Sequence, residues 1–352
     1  MMDYSVKGIT FTRDQLELVR LSEIVENSIS SGHLFTFVKE RPFLLLRAGD
    51  FVDQDFLEKY QARGVESLYI LKVSSEQDLL KFKSLFTKFK TSKTELEKRR
   101  VKDELIKVFA DDFWKHSDKS FLSFVQACFE QFYNLPEEVV TSLQDSSTTL
   151  YSRALLSSSL SVMNCVIHSI HDLNFVSDVY NAAFLMDCSL GMKEDFSYFL
   201  KVACEKERSV PGDGIAFLRN RSDLDELIKF QEHPNLSADL ATKYSESFFN
   251  PEVSELIRFH HERADGTGFP NGYKYSGIAE SDTLLMFGDY VTPFEEHIFK
   301  SSDGKEIVKE NFMRLLRQVE KSQLPIKNSM DLWQQAMKWA ITIGTLDQSE
   351  VA

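Results

Sequence analysis

Two adjacent histidines and a glutamate, followed at once by an acidic, glycine-rich loop, constrain this 352-residue chain more than any other feature. The segment runs His260-His261-Glu262-Arg263-Ala264-Asp265-Gly266-Thr267-Gly268-Phe269-Pro270. Adjacent imidazoles at a helix end can reach one metal ion, because the loop after the last turn lets both rings converge. The alternative is a surface helix end at which His and Glu meet the C-terminal dipole. An isolated His-His pair would favour that alternative, whereas the attached loop favours a metal site.

This run resembles the motif of the HD-GYP family, bacterial phosphodiesterases that hydrolyse cyclic di-GMP. In that motif, His-His-Glu is followed after two residues by Asp-Gly-Ser/Thr-Gly-Tyr-Pro. The chain keeps every position of the motif loop except the tyrosine, which is Phe269; the kept residues are Glu262, Asp265, Gly266, Gly268 and Pro270. The resemblance implies an HD-type helical bundle that brings scattered His and Asp residues together around metal ions.

The composition places the chain among ordinary soluble globular proteins, with 43% hydrophobic and 27% charged residues. Its length suits two domains. No apolar run approaches the roughly 18 residues that span a bilayer, and the N-terminus lacks a signal-peptide stretch, so we expect a cytoplasmic protein. The net charge of −13 disfavours nucleic acid and anionic membranes as partners. Four cysteines without paired spacing are expected to be reduced and mostly buried.

Residues 1–75 are predicted to form a small α/β module. Apolar runs of strand-like composition predict strands at residues 34–38, 43–47 and 67–71. A turn is expected at Arg41-Pro42, and Asp53 is a candidate helix cap before the third strand. We find no ligand motif in this segment, so a packing or dimerisation module is the preferred interpretation, and a homodimer stays open.

Residues 76–145 are predicted to be a helical linker region rich in Lys and Glu. Its first helix carries an apolar stripe made of Leu80, Phe82, Leu85, Phe86 and Phe89. Two hypotheses have equal weight: a signalling helix that couples the two domains as a coiled coil, and a bundle helix with one solvated face. A break is expected at Leu135-Pro136.

From residue 146 to residue 352 the pattern is one helix after another, without an internal repeat. The predicted fold is therefore mainly α: a C-terminal HD-type helical bundle, preceded by the helical linker and the small α/β module. The length of this last region suits a degenerate HD-GYP domain.

The resemblance assigns metal binding to residues scattered along the bundle. Asp187 follows an apolar run, His233 stands before a proline, and Asp289 follows another apolar run. With His260 and His261, the first two give one complete ligand set of three imidazoles and one carboxylate, a plausible site for a first-row metal. The other set keeps only Asp187 and Asp289, and two carboxylates alone would bind a second transition metal poorly.

The other ligand set implied by the resemblance has lost several members. Met186 occupies the position of the dyad histidine, and Leu190 the position of the lysine that follows it in active members. An earlier histidine is expected near residues 151–154, where the chain has none. His168 and His171 are nearby candidates for substitute ligands, although a polar helix face is the preferred interpretation of that pair.

These losses predict negligible hydrolysis of cyclic di-GMP, because a two-metal phosphodiesterase needs both ions to activate its nucleophile and stabilise charge. We expect a pseudoenzyme, a regulatory or binding module in signalling, that holds one Fe, Mn or Zn ion or none. A slow metal-dependent phosphodiesterase and a non-hydrolysing nucleotide sensor stay open. The lost basic residues, which include the lysine replaced by Leu190 and an arginine replaced by Thr283, count against cyclic di-GMP as a ligand. The expected partner is a protein, with a diguanylate cyclase as one candidate and the Gly-Phe-Pro loop as one candidate contact surface.

Overall fold

The computed structural model describes residues 3–116, 119–191, 196–274, 278–300, 302–319 and 323–349, with residues 343–349 described by their backbone alone. Over these ranges the chain is mainly α, with a small sheet module at its N-terminal end. The prediction of a mainly α fold with a small strand-containing module at its N-terminal end is therefore confirmed. The domain boundaries near residues 75 and 145 stay predictions.

The strands of the described chain are short and lie in the N-terminal module. They are β1 (Asp3–Val6), β2 (Ile9–Thr12), β3 (Glu17–Arg20), β4 (Ser28–Ile29), β5 (Gly32–Val38), β6 (Arg41–Leu46), β7 (Phe51–Val52) and β8 (Ser67–Lys72). A four-stranded antiparallel sheet has the order β3-β8-β5-β6, while β1 pairs with β2 and β4 with β7. Helix α1 (Gln54–Gln61) precedes β8, and Asp53 caps it by accepting a hydrogen bond from the Phe56 N–H at 2.7 Å.

The sequence predicts β5, β6, β8 and the Asp53 cap, but it misplaces one turn. Arg41 and Pro42 lie inside β6, and the turn is made by Lys39 and Glu40, whose φ angles are 49° and 64°. Proline is tolerated there because β6 is the last strand of its sheet, so the missing N–H breaks no ladder between two neighbours.

The charge-rich helices α2 (Glu76–Thr91) and α3 (Glu95–Ala110) pack against each other and against later helices. Phe82, Leu85, Phe86 and Phe89 are buried, whereas Leu80 is 58% exposed and lies outside the stripe. These side chains belong to the same core as the helices that follow. The structure supports bundle helices with one solvated face rather than a free coiled coil.

The remaining helices extend from the middle of the chain to its end, and the predicted break at Leu135-Pro136 separates the first two. They are α4 (Leu122–Phe132), α5 (Glu137–Ser146), α6 (Thr148–Ile167), α7 (Leu173–Leu185), α8 (Tyr198–Ser209), α9 (Asp213–Arg221), α10 (Leu224–Thr242), α11 (Leu284–Val291), α12 (Asp303–Gln318) and α13 (Lys327–Ser349). Single turns of 3₁₀ helix follow α7 at Cys188–Leu190 and precede α11 at Ser281–Thr283, and a longer 3₁₀ segment covers Pro251–Phe259.

Helix α6 is the central helix of the bundle, buried along nearly its whole length between α7 and α11. Two serines of its serine-rich stretch form hydrogen bonds within the helix: Ser158 and Ser159 donate to the carbonyls of Ala154 and Leu155 at 2.6 and 2.8 Å. The absence of a side chain at Gly288 on α11 also lets α11 approach α6 closely, since a Cβ there would lie 2.6 Å from the Ser157 carbonyl oxygen. Charged residues near the ends of these three helices are thereby brought together.

The N-terminal module is fixed to the helices through buried polar contacts. The Tyr151 hydroxyl donates to the Gly49 carbonyl at 2.7 Å, and the Gln126 amide donates to the Ile29 carbonyl at 2.9 Å. Ile29 and Phe51 of the module are part of the main hydrophobic core. The module and the bundle therefore share one packed interior.

Two expectations from composition are met in the part of the chain that the structure describes. Each helix there is too short or too polar to cross a membrane. The cysteines are buried free thiols: Cys128, Cys165, Cys188 and Cys204.

Candidate metal centre

Four buried side chains from three segments converge at one point in the bundle. Asp187 follows the last turn of α7, His233 lies within α10, and His260 and His261 follow the 3₁₀ segment that ends at Phe259. One ligand atom from each residue lies within 4.8 Å of all the others. The relative exposures of these residues are 6%, 0%, 0% and 1% in chain order. The structure thus brings together the complete ligand set that the resemblance implies.

The rings of His233 and His260 are oriented by backbone carbonyls. Their Nδ1 atoms lie 2.6 Å from the carbonyl oxygens of Phe230 and Ile257 respectively. Because a carbonyl only accepts, each Nδ1 carries a proton, and in the neutral form of the ring each Nε2 keeps a lone pair. These two Nε2 atoms lie 3.1 Å apart. Two lone pairs at that distance repel each other unless a cation binds both, and this backbone support is typical of histidines that ligate a metal.

Other ligand atoms of the centre have no hydrogen-bond partner among the described residues. Asp187 Oδ1 and both ring nitrogens of His261 are buried and unpaired. An unsatisfied buried polar atom costs about 1–3 kcal/mol, so an ion bound by these atoms would stabilise the site. Asp187 Oδ1 lies 3.4 Å from His233 Nε2 and 3.8 Å from His260 Nε2. Tetrahedral ligands about 2.0–2.2 Å from a zinc ion are separated by roughly 3.4 Å, so the residues fit a single first-row metal ion.

The centre is closed on all sides by protein. Its three imidazoles and one carboxylate would fill a tetrahedral shell, and none of these residues is more than 6% exposed. Structural metal sites have four protein ligands, whereas catalytic sites keep one position open for water or substrate. On this criterion a tetrahedral ion such as Zn²⁺ would have a structural site here.

Two buried arginines lie on the opposite side of the Asp187 carboxylate. Arg153, on α6, donates from Nε to Asp187 Oδ2 at 2.6 Å, and its Nη2 pairs with Asp289 Oδ1. Arg208, on α8, pairs with the same Asp289 oxygen, and its Nη2 lies 3.5 Å from Asp187 Oδ2. Asp289 therefore lies next to the four-residue group but outside it. Its second oxygen, Oδ2, has no hydrogen-bond partner among the described residues.

These charges set the protonation states of the ligands. Burial alone would raise the pKa of the Asp187 carboxyl, but the guanidinium groups of Arg153 and Arg208 outweigh burial and hold that pKa well below its usual range. Burial, reinforced by the neighbouring rings of His260 and His233, holds the pKa of His261 well below its ordinary value. A charged carboxylate and a neutral imidazole are the forms that bind metal.

The motif loop is fixed by its own backbone. Glu262 is fully buried and its carboxylate accepts hydrogen bonds from the N–H groups of Asn271 and Tyr273, each at 2.8 Å. The loop also passes so close to the preceding chain that a Cβ on Gly268 would lie 2.4 Å from the Arg263 nitrogen. Glu262 and Gly268 therefore hold the loop in place rather than contributing ligands.

Phe269 lies inside the protein and covers the centre. Its ring is 3% exposed and stacks on the His261 ring with a centroid distance of 4.5 Å. The expectation of an exposed Gly-Phe-Pro surface is therefore wrong for this aromatic side chain, because the ring is used in packing. The exposed positions of the loop are Asp265 and Thr267, which form a short turn closed by the hydrogen bond from the Thr267 N–H to Asp265 Oδ1 at 3.0 Å.

The two positions predicted to be degenerate lie in the apolar core. Met186 and Leu190 are 1% and 0% exposed and offer neither an imidazole nor a cation. Between them, Ser189 donates to the His233 carbonyl at 3.0 Å and accepts from the Ser237 hydroxyl at 2.9 Å. The turn after α7 is thus attached to α10, which keeps the carboxylate and the first imidazole in register.

His168 and His171 do not rebuild a second ligand set. His168 caps the end of α6 and contacts the Ser329 hydroxyl at 2.8 Å, while His171 lies in the following loop, 3.4 Å from a Glu95 oxygen. The two residues do not share a helix face as the sequence suggested, because α6 ends at Ile167. Neither belongs to the four-residue metal group.

Neither arginine was predicted from the sequence. Arg153 falls within residues 151–154, where the resemblance implies a histidine, so the pattern indicated a lost imidazole and not another cation. The available signal was a single charged residue in an otherwise apolar and serine-rich helix. Arg208 gave no comparable signal, because it follows three charged residues and looks like a solvated helix end.

Comparison with known proteins gives few matches. No protein-family model matches the chain, and no curated protein matches it. A solved structure described as "Bd1817, a HDG"Y"P protein from Bdellovibrio bacteriovorus" aligns with it at 13% sequence identity and a TM-score of 0.39. The alignment covers 92% of this chain and 99% of that one. Similarity this low does not establish a common fold, so the interpretation of the centre rests on the chain's own residues.

Proposed function

We propose that this chain is a degenerate HD-GYP protein that acts as a regulatory or binding module in bacterial cyclic di-GMP signalling, with at most one bound metal ion and negligible phosphodiesterase activity. The observation that carries the proposal is the closed group of Asp187, His233, His260 and His261, joined to a motif loop that matches the family at all but one position.

The residues present support metal binding better than hydrolysis. A bound metal would supply Lewis acidity to any oxygen that reached it. In this chain the four ligands and the Phe269 ring exclude such an oxygen, and Met186 and Leu190 provide no further ligand or phosphate contact. We expect the ion, when bound, to join α7, α10 and the His-His segment.

A slow metal-dependent phosphodiesterase is the second candidate, and the complete ligand set is the observation that favours it. Turnover would require the motif loop to move away from His261 so that a phosphate could enter. A non-hydrolysing nucleotide sensor has less support. The arginines beside the centre, Arg153 and Arg208, are buried and paired with carboxylates, so neither is available to a phosphate.

A regulatory module of this kind needs a protein partner, and a diguanylate cyclase is our candidate. The exposed part of the motif loop, around Asp265 and Thr267, is the candidate contact surface, in place of the buried Phe269 ring. We expect binding to weaken when Thr267 is replaced by a charged residue, as measured by calorimetry with a purified cyclase.

Metal content of the purified full-length chain tests the proposal. We expect one equivalent of Fe, Mn or Zn per chain, absent from His260→Ala and retained in His168→Ala, a matched control whose ring contacts Ser329 instead. Two equivalents, or one that survives in His260→Ala, would overturn the assignment. In a parallel assay with cyclic di-GMP and added Mn, Fe or Mg, turnover comparable to that of active family members would replace the regulatory proposal by the enzymatic one.

A further inference from the structure

The acidic side of the metal centre contains two buried carboxylates that must be neutralised. Asp187 and Asp289 are 6% and 0% exposed. A buried ionised carboxylate is too costly to persist without a paired cation. The positive charge comes from Arg153 and Arg208, whose side chains are only 1% and 3% exposed. Two guanidinium and two carboxylate groups therefore balance each other before any metal is counted.

Both guanidinium groups are held rigidly in this position. Arg153 also donates to the Thr292 carbonyl, and Arg208 donates to the Cys204 carbonyl at 3.1 Å. The Phe294 ring contacts both cations, with its centroid 4.2 Å from the guanidinium carbon of Arg153 and 4.4 Å from that of Arg208. Cation–π contacts in a buried site add to this stability. The arginines are thus fixed parts of the interior and are not side chains that swing out to solvent.

We propose that the Arg153–Arg208 pair takes the place of a second metal ion beside Asp187, so that the centre accepts one dication only. The proposal rests on the proposed function, because it takes the four-residue group as the metal site. Asp187 Oδ2 and Asp289 Oδ1 accept hydrogen bonds from the arginines, whereas Asp187 Oδ1 faces the imidazoles. The arginines act as positioning residues: they orient the shared carboxylate, and their charge repels a further dication on that side.

Manganese binding to the metal-stripped full-length chain tests this assignment. Equilibrium dialysis counts the bound ions, and electron paramagnetic resonance distinguishes an isolated Mn²⁺ from a spin-coupled pair. We expect the wild type to bind one uncoupled Mn²⁺. Arg208→Met removes one positive charge and releases Asp289, so it should bind a second, weaker Mn²⁺ and give a coupled spectrum. The control Arg258→Met loses contacts with the exposed carboxylates of Asp239 and Glu255 and should still bind one ion.

A second variant keeps the test decisive if Arg208→Met folds poorly. The double variant Arg208→Met/Asp289→Asn removes one charge of each sign. In chelator it should therefore melt at a higher temperature than Arg208→Met alone, and it should bind a single Mn²⁺. Asp289→Asn alone should retain the one ion, because its oxygen pairs with arginine and not with metal.

Several results would overturn the arginine assignment. Two are counts of bound Mn²⁺: two ions per chain in the wild type, or only one ion in folded, metal-saturated Arg208→Met. The others are loss of the ion in Asp289→Asn, and a double variant that melts no higher in chelator than Arg208→Met alone. Failure of the proposed function would be a different result, namely metal retained by His260→Ala. That result does not change the comparison of melting temperatures in chelator between Arg208→Met and the double variant, which still tests the arginine assignment.

Discussion

Replacing Phe269 by alanine tests whether the motif loop is a structural cover for the metal centre. The ring is 3% exposed, and its centroid lies 4.5 Å from that of His261 and 5.1 Å from that of Phe230. Removing a buried phenyl group costs about 3–5 kcal/mol, which includes the lost burial and the cavity left behind. Two ring contacts of about 0.5–1.5 kcal/mol each lie within that total. Because a loop can partly collapse into the space, we expect a loss near 3 kcal/mol.

Urea unfolding of the metal-free protein measures this loss without interference from metal binding. Phe43→Ala is the control, since that ring is 49% exposed on an edge strand and its removal should cost about 1 kcal/mol, well below the loss expected for Phe269→Ala. A second readout is the rate at which excess chelator removes the metal, which should rise in Phe269→Ala because water gains access to His261. The cover hypothesis is refuted if Phe269→Ala and Phe43→Ala unfold at the same urea concentration and release metal at the same rate.

Two further predictions concern other parts of the molecule. Gly268→Ala should destabilise the chain by about 1–3 kcal/mol and weaken metal binding, because the new Cβ would lie 2.4 Å from a backbone atom. The control is Gly64→Ala, where the space around the new Cβ is open but φ is +72°. This control should cost about 1–2 kcal/mol and leave the metal affinity measured by dialysis unchanged. His33 has a pKa lowered to about 4 by burial, so the unfolded chain takes up its proton first and stability is lost as pH falls from about 6.5 to about 4. In His33→Gln, the free energy of unfolding measured in urea should fall by up to about 3 kcal/mol less across that pH window than in the wild type. Asp50, whose pKa burial raises to about 6, acts in the opposite direction in both proteins. Equal slopes of the unfolding free energy against pH would show that His33 does not titrate as inferred.

The candidate ligand group was predictable because of a family resemblance. His260 and His261 are adjacent in a recognisable motif, and the resemblance carried by that motif assigns the positions of His233, before a proline, and Asp187, after an apolar run. The helical class was predictable for a different reason, since long apolar periodicities identify helices whatever their packing.

Features that depend on contacts distant in sequence were not predictable. Phe269 looks like an exposed loop residue until the loop folds back on His261. The partners of Arg153 lie 34 and 136 residues away, at Asp187 and Asp289, so nothing near the arginine indicates its role. The short strands β1–β4 and β7 contain two to four residues each, too few to show an alternating pattern.

The arginine pair also changes how the lost ligand positions should be interpreted. Counting missing histidines suggests a damaged site, with Met186 as a simple loss. Counting charges leads to a different interpretation. The buried carboxylates of Asp187 and Asp289 would strongly destabilise the fold if no positive charge compensated them. Two guanidinium groups supply the same total charge as one dication, and they do so covalently, without dependence on metal supply. The side of Asp187 that faces Asp289 is therefore balanced in charge by the two arginines, which supports the proposed regulatory scaffold over an enzyme that is merely missing a ligand.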